Sequence, residues 1–188
     1  MIVLNIIDLL IIYRIIDILD SQIQMLFRKI IEELEKRKIR YLIIGGVAVN
    51  LHGYSRITKD LDLMISFEKE NVDKFIELVN DLGYIPKVPV DIKEFADPKK
   101  REEWKNEKNM QVFSVRSRDD EFEYIDIMIQ DHLDFEKAYK NRKVFIDDKI
   151  SVSVISINDL IKLKELAGRG RDLLDMKLLK KLREQLDE

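Results

Sequence analysis

Hydrophobic and polar positions change their period several times along the chain, and each change marks an element. From Ser21, the positions Ile23, Leu26, Phe27, Ile30, Ile31 and Leu34 fall on one face of a helix, while Glu32, Glu33, Glu35, Lys36 and Arg37 belong to solvent. Ser21 and Gln24 have the spacing of a capping box, and the pattern runs out near Lys38. Tyr41 to Ile44 is a short apolar run, the signature of a buried strand. Gly45 and Gly46 turn it into a short helix from Val47 to about His52, which Gly53 ends. From Asp60 to Ile65 the period becomes two, with Asp60, Asp62 and Met64 on one strand face and Leu61, Leu63 and Ile65 on the other. A second amphipathic helix spans about Glu68 to Leu82 and buries Val72, Phe75, Ile76 and Val79; Gly83 caps it.

Residues Tyr84 to Met110 follow no period, and Pro86 and Pro89 break any long element. Asp97-Pro98 reads as an N-cap and first helical position for a short helix carrying Trp104. That segment is expected either to cover one side of a cleft or to be a surface insertion. Gln111 to Val115 and Glu123 to Ile129 read as paired strands, with Tyr124, Asp126 and Met128 on one face. Asp134 caps a helix through Tyr139. Val144 to Ile146 and Ile150 to Ile155 form a hairpin across Asp147-Asp148. Asn158 or Asp159 caps a helix through Ala167, Gly168 and Gly170 interrupt it, and a last helix runs from Arg171 to about Leu186 on Leu174, Leu178, Leu179 and Leu182.

The first residues are apolar enough to suggest a membrane span, but Asp8, Arg14 and Asp17 interrupt them at high cost in lipid. No basic start and small-residue cleavage site of a signal peptide is visible. The expected organisation is therefore an apolar, helical extension over 1–24 and one domain over 25–188, helical from about 158. The extension packs on the domain or on a second copy as a homodimer, or else Met25 is the natural start. No membrane partner is expected, and the expected location is cytoplasmic.

Composition narrows the chemistry. A net charge of −3 provides no overall basic field to gather nucleic acid. The absence of cysteine excludes disulfides and thiolate zinc sites, and two histidines, His52 and His132, are too few for a His-rich centre. A metal here would be held by oxygen, which points to Mg²⁺ or Mn²⁺.

Asp60 and Asp62 are the sharpest signal. In isolation such a pair is the wet face of a half-buried strand. Three features change the weighing. The Gly45-Gly46 turn lies just upstream, where backbone N–H groups could approach a phosphate. Asp126, amid Ile125 and Ile127, could complete an oxygen cage for two divalent ions. Arg56, Thr58 and Lys59 precede the pair and could supply cations or a hydroxyl.

Gly-Gly, a short helix, Asp-x-Asp and a distant strand Asp resemble the polymerase-beta-like nucleotidyltransferase superfamily. The run from Gly45 to Asp62 and the segment Asp159-Leu-Ile-Lys-Leu-Lys-Glu-Leu-Ala-Gly-Arg-Gly-Arg-Asp-Leu-Leu-Asp175 look like small prokaryotic members near the abortive-infection toxin nucleotidyltransferases. The resemblance covers about Met25 to Leu182. It implies an α/β (α+β) nucleotidyltransferase fold, a mixed sheet flanked by helices, with Gly45 and Gly46 cradling an NTP triphosphate. By the matching positions, Asp60 and Asp62 would bind both Mg²⁺ ions and the nucleotide phosphates, and Asp126 would bind the catalytic metal and help deprotonate an attacking hydroxyl. Many relatives have Gly-Ser at the turn, so Gly46 removes one hydroxyl contact. Lys164 and Arg169 could hold phosphates from a far wall, whereas Asp175 reads as structural, at ion-pair spacing from Arg171.

The leading expectation is transfer of a nucleoside monophosphate from an NTP to a hydroxyl of a protein, an RNA end or a small molecule, within a toxin–antitoxin or defence pair. The rivals are a non-catalytic, antitoxin-like binding module on the same fold and a structural domain with a merely solvated acidic face. His52, Trp104 and Tyr139 read as packing residues. No P-loop and no dinucleotide-binding glycine motif is present.

Overall fold

The computed structural model describes residues 28–54, 56, 58, 60–120, 123–147 and 150–186. The extension over 1–24 and the expected helix start at Ser21 lie outside the described residues, and so does Lys59.

Helix α1 (Arg28–Lys36) buries Ile30, Ile31 and Leu34, the face its period predicts. Lys38, at φ 55°, turns the chain in the left-handed manner usually left to glycine. Ile39 N–H then donates to Leu34 O at 2.9 Å, closing the helix end. Strand β1 (Tyr41–Ile43) and helix α2 (Gly45–Leu51) follow, then strand β2 (Asp60–Ile65) and helix α3 (Lys69–Asp81). The stretch without a period contains strand β3 (Tyr84–Pro86), a 3₁₀ turn (Ile92–Ala96) and helix α4 (Pro98–Glu107). Strands β4 (Val112–Ser117) and β5 (Tyr124–Met128), helix α5 (Phe135–Lys140), and strands β6 (Lys143–Asp147) and β7 (Ile150–Val154) come next. Helices α6 (Ile157–Ala167) and α7 (Gly170–Leu186) end the described chain.

The strands form one seven-stranded mixed sheet in the order β3-β4-β5-β2-β1-β7-β6. β2 and β5 are parallel neighbours near its centre, while β4 runs antiparallel to β5 and β1 antiparallel to β2. Alternation gives the sheet two unlike faces. Leu61, Leu63, Phe113, Val115, Ile125 and Ile127 are fully buried, at 0% exposure. Their neighbours Asp60, Asp62, Ser114, Arg116, Tyr124 and Asp126 are half-buried on the opposite face.

Several expectations change. β3 is a true edge strand despite Pro86: its Tyr84, Ile85 and Pro86 pair with Ser117, Arg116 and Val115. Proline is tolerated on an edge because no ladder partner needs its missing N–H. Trp104 of α4 stacks on Phe113 at 5.2 Å, on the apolar face. Helix α4 thus covers the sheet on the side away from the carboxylates. The cap of α6 is Ser156, whose hydroxyl accepts from Asp159 N–H at 3.1 Å, so neither Asn158 nor Asp159 caps it. Finally, α7 buries Asp172, Asp175, Met176 and Leu179, whereas Leu174, expected on its apolar face, is 59% exposed. The helix is rotated to deliver two carboxylates to a buried lysine, and that requirement outweighs its leucine stripe. Among the described residues, no helix is long and apolar enough to cross a membrane.

Candidate active site

The register of the central strands brings the carboxylates together. Asp62 lies directly beside Asp126, and Asp60 beside Tyr124. Ser114 lies on the other side of Asp126. Strands sit about 4.8 Å apart, so side chains in register on one face are immediate neighbours.

Their electrostatics are not those of a solvated rim. Burial, and next the charge of Asp126, push the Asp62 carboxyl up from the usual 3.8 to about 6, against the Gly46 N–H and Lys164, which favour the ion. Asp126 is also raised, first by burial and then by Asp60, while a hydrogen bond from Ser114 and the charge of Lys87 oppose this. Desolvated like charges favour protonation unless a cation joins them. This counts against the merely solvated reading of the acidic face.

Gly45 and Gly46 meet a steric need here that the sequence did not show. Gly45 stands at φ +63°, and a Cβ on it would overlap the Asp62 carboxylate. A Cβ on Gly46 would lie 2.6 Å from Thr58 Oγ1 and 2.9 Å from Arg56 Nη2. The two missing side chains make room for Asp62, Thr58 and Arg56 against the backbone. Gly46 N–H donates to Asp62 Oδ2 at 3.4 Å, a long bond. A serine at position 46 would therefore be pressed against the Thr58 hydroxyl.

The basic residues form one connected cluster. Arg56 Nη1 pairs with Asp175 Oδ2 at 2.6 Å, and Lys164 Nζ bridges Asp172 and Asp175, both at 2.9 Å. Arg169 Nε reaches Asp172 at 2.7 Å. Lys164, Asp172 and Asp175 are 5%, 2% and 3% exposed. Burial pushes Asp172 up, but Arg169 and Lys164 outweigh it and hold its carboxyl below the usual value. Lys164 is therefore paired within the protein rather than presented bare to a cleft, although its charge is still felt at Asp62. Asp175 turns inward to Arg56 and Lys164 instead of pairing with Arg171.

Asp60, Asp62 and Asp126 suit a hard divalent cation by donor type, since all three offer carboxylate oxygens and Asp62 and Asp126 are destabilised as bare ions. As the side chains stand, no group of three His, Cys, Asp or Glu residues converges on one point among the described residues.

The structure adds residues that sequence reasoning passed over. Lys87 follows β3 directly, its Nζ lies 4.7 Å over the Tyr124 ring, and its charge reaches Asp126. Ser114 hydrogen-bonds Asp126. The signal for Lys87 would have been the pairing of β3 with β4, which the prolines concealed; Ser114 lies on the β4–β5 pair that was expected. His52 is a packing residue: its ring is buried, and Nε2 lies 2.8 Å from Ile155 O. Burial lowers its pKa, which keeps it neutral.

Comparison with solved structures identifies the arrangement of these elements. The chain is similar to the lincosamide antibiotic adenylyltransferase LnuA bound to lincomycin, at 18% identity and a TM-score of 0.51, over 82% of this chain and 94% of that one. The chain has the nucleotidyltransferase fold. A nucleotidyltransferase-like antigenic protein from Paracoccidioides brasiliensis aligns with a TM-score of 0.52 at 16% identity, over 81% of this chain and 72% of that one. The ANT(2″)-Ia complex with adenylyl-2″-tobramycin aligns with a TM-score of 0.51 at 16% identity, over 82% and 89%. No protein-family model and no curated protein matches the sequence.

Proposed function

We propose that this protein is a divalent-metal-dependent nucleotidyltransferase. It moves a nucleoside monophosphate from an NTP to an acceptor hydroxyl and releases pyrophosphate. The observation that carries the reading is the pairing of Asp62 with Asp126 on half-buried central strands, beside Gly45 and Gly46. Asp60, Asp62 and Asp126 would hold Mg²⁺ or Mn²⁺, which when bound neutralises charge on the attacking and leaving oxygens.

In this reading the backbone of Gly45 and Gly46, with Arg56, Thr58, Lys164 and Arg169, binds and orients the triphosphate. Asp126 takes the proton of the acceptor hydroxyl at a carboxylate oxygen. As the new P–O bond forms at the α-phosphate, the bond to pyrophosphate breaks opposite it.

The acceptor is a small molecule, a protein side chain or an RNA end. LnuA and ANT(2″)-Ia carry antibiotics or their adenylyl products, so small hydroxyl compounds come first in the assay. The proposal includes a cytoplasmic setting, a toxin–antitoxin or defence partner, a domain over 25–188 and dimerisation through 1–24. One observation favours a second reading, a non-catalytic binding module: Lys164 already has two carboxylate partners within the protein.

One assay separates them. Labelled NTPs, Mg²⁺ or Mn²⁺ and an acceptor panel with cell extract are incubated with the protein and with Asp60→Ala/Asp62→Ala. Transfer that depends on both carboxylates supports the enzyme. Transfer that persists in the variant, or no nucleotide binding by the natural sequence, overturns it. Nucleotide binding without transfer selects the binding module.

A further inference from the structure

Arg56 stands out in the basic cluster. It lies in the segment between α2 and β2, whereas its partner Asp175 belongs to α7 at the far end of the chain. One guanidinium nitrogen, Nη1, is committed to Asp175, and Nη2 lies against Gly46. The third, Nε, is buried and has no hydrogen-bond partner among the described residues. A buried donor of a charged group left unpaired is costly, so such a position is one where an incoming acceptor is strongly rewarded. Asn50 holds the same residue from below: its Nδ2 donates to Arg56 O, and Arg56 N–H donates to its Oδ1, both at 2.9 Å. The residue is thus held at its backbone by Asn50 and at its guanidinium by Asp175, with one edge unspent.

We propose that Asp175 is a positioning residue, which tethers the Arg56 guanidinium beside Gly45 and Gly46 at the start of α2 so that its unspent edge receives a polyphosphate. This rests on the nucleotidyl-transfer reading for the identity of the anion, and it goes beyond that reading by assigning a carboxylate of the last helix to substrate binding. Asp175 touches no substrate. It acts by fixing which edge of Arg56 is free, and by sharing Lys164 it ties that choice to α6. A planar guanidinium can hold a carboxylate on one edge and a phosphate on another; an ammonium cannot reproduce that geometry.

Inorganic tripolyphosphate is the probe, because its binding is read without any transfer reaction. Titration calorimetry is run at fixed low salt on the full chain and on Asp175→Asn, Arg56→Gln, the double variant and Arg56→Lys. Each single substitution is expected to weaken binding about tenfold, and Arg56→Lys is expected not to rescue it. The double variant is expected to bind no more weakly than Arg56→Gln alone, because Asp175 acts through Arg56. A purely structural loss would lower the thermal midpoint and add to the Arg56 effect. Fully additive losses, Asp175→Asn at natural affinity, Arg56→Lys at natural affinity, or no tripolyphosphate binding by the natural sequence would each overturn the proposal. Should Asp175→Asn not fold, Arg56→Lys against Arg56→Gln decides. Failure of the transfer assay with tripolyphosphate binding intact sinks the enzyme reading and leaves this one standing.

Discussion

Asp62→Asn should make the metal-free protein more stable while removing its metal chemistry. Burial and the neighbouring Asp126 charge raise the Asp62 carboxyl from 3.8 to about 6 in the folded state. That is about two pH units at about 1.4 kcal/mol each, so ionised Asp62 costs the fold about 3 kcal/mol. The sign follows from the raised value. Below the unfolded pKa the carboxyl is protonated in both states and costs nothing. As pH rises from 3.8, the unfolded chain ionises first and stability is lost, until the loss is complete above about 6. Asparagine fills the same space without a charge. Urea unfolding in EDTA should therefore show a gain of about 3 kcal/mol at pH 7.5, about half that near pH 5, and none near pH 3.5. Millimolar Mg²⁺ should stabilise the natural sequence and leave Asp62→Asn unmoved. A variant no more stable at pH 7.5, or a gain that ignores pH, would refute the argument that Asp62 is held as a frustrated ion.

Three further outcomes are expected. Gly46→Ser places its Cβ 2.6 Å from Thr58 Oγ1, so it should cost about 1–3 kcal/mol in thermal unfolding and weaken nucleotide binding rather than restore a hydroxyl contact. Lys164→Met removes the shared partner of Asp172 and Asp175 and leaves each carboxylate one cation, Arg169 and Arg56; denaturant unfolding should show a loss of about 3 kcal/mol at neutral pH that shrinks in acid, as the Asp172 carboxyl, which Lys164 helps to hold low, takes up a proton. Ser156→Ala deletes the cap of α6 and should cost about 1 kcal/mol, whereas Asn158→Ala should lie within about 0.5 kcal/mol of the natural sequence.

Where one physical cause acts locally, the sequence was readable. The period of two in β2 and β5 located Asp60, Asp62 and Asp126 on single faces, and Asp97 and Asp134 cap the helices expected of them. The mixed sheet implied by the family resemblance is present, and the fold comparison agrees. What could not be read depends on distant partners. Asp172 and Asp175 look like solvent positions beside a leucine stripe, and it takes Lys164, across the α6–α7 turn, and the distant Arg56 to turn them inward. The pairing of β3 was hidden because Pro86 argues against a strand unless its edge position is known. Ser156 was overlooked because Asn158 and Asp159, both good caps, stand two and three residues too late. The use of Gly46 required knowing where Thr58 and Arg56 lie.

The parallel register of β2 and β5 also has a consequence for folding fidelity. The two strands are separated by α3, β3, α4 and β4, so their pairing forms late, after a long loop closes. A slip of two residues would keep every leucine and isoleucine on the apolar face, yet set Asp62 beside Tyr124 or Met128 instead of Asp126. Burial alone cannot reject that error. The seat of Asp62 against Gly45 is what distinguishes the correct register. A misregistered fraction would be compact, with native helix content and ordinary circular dichroism, and would count in an active-site titration as protein that never works.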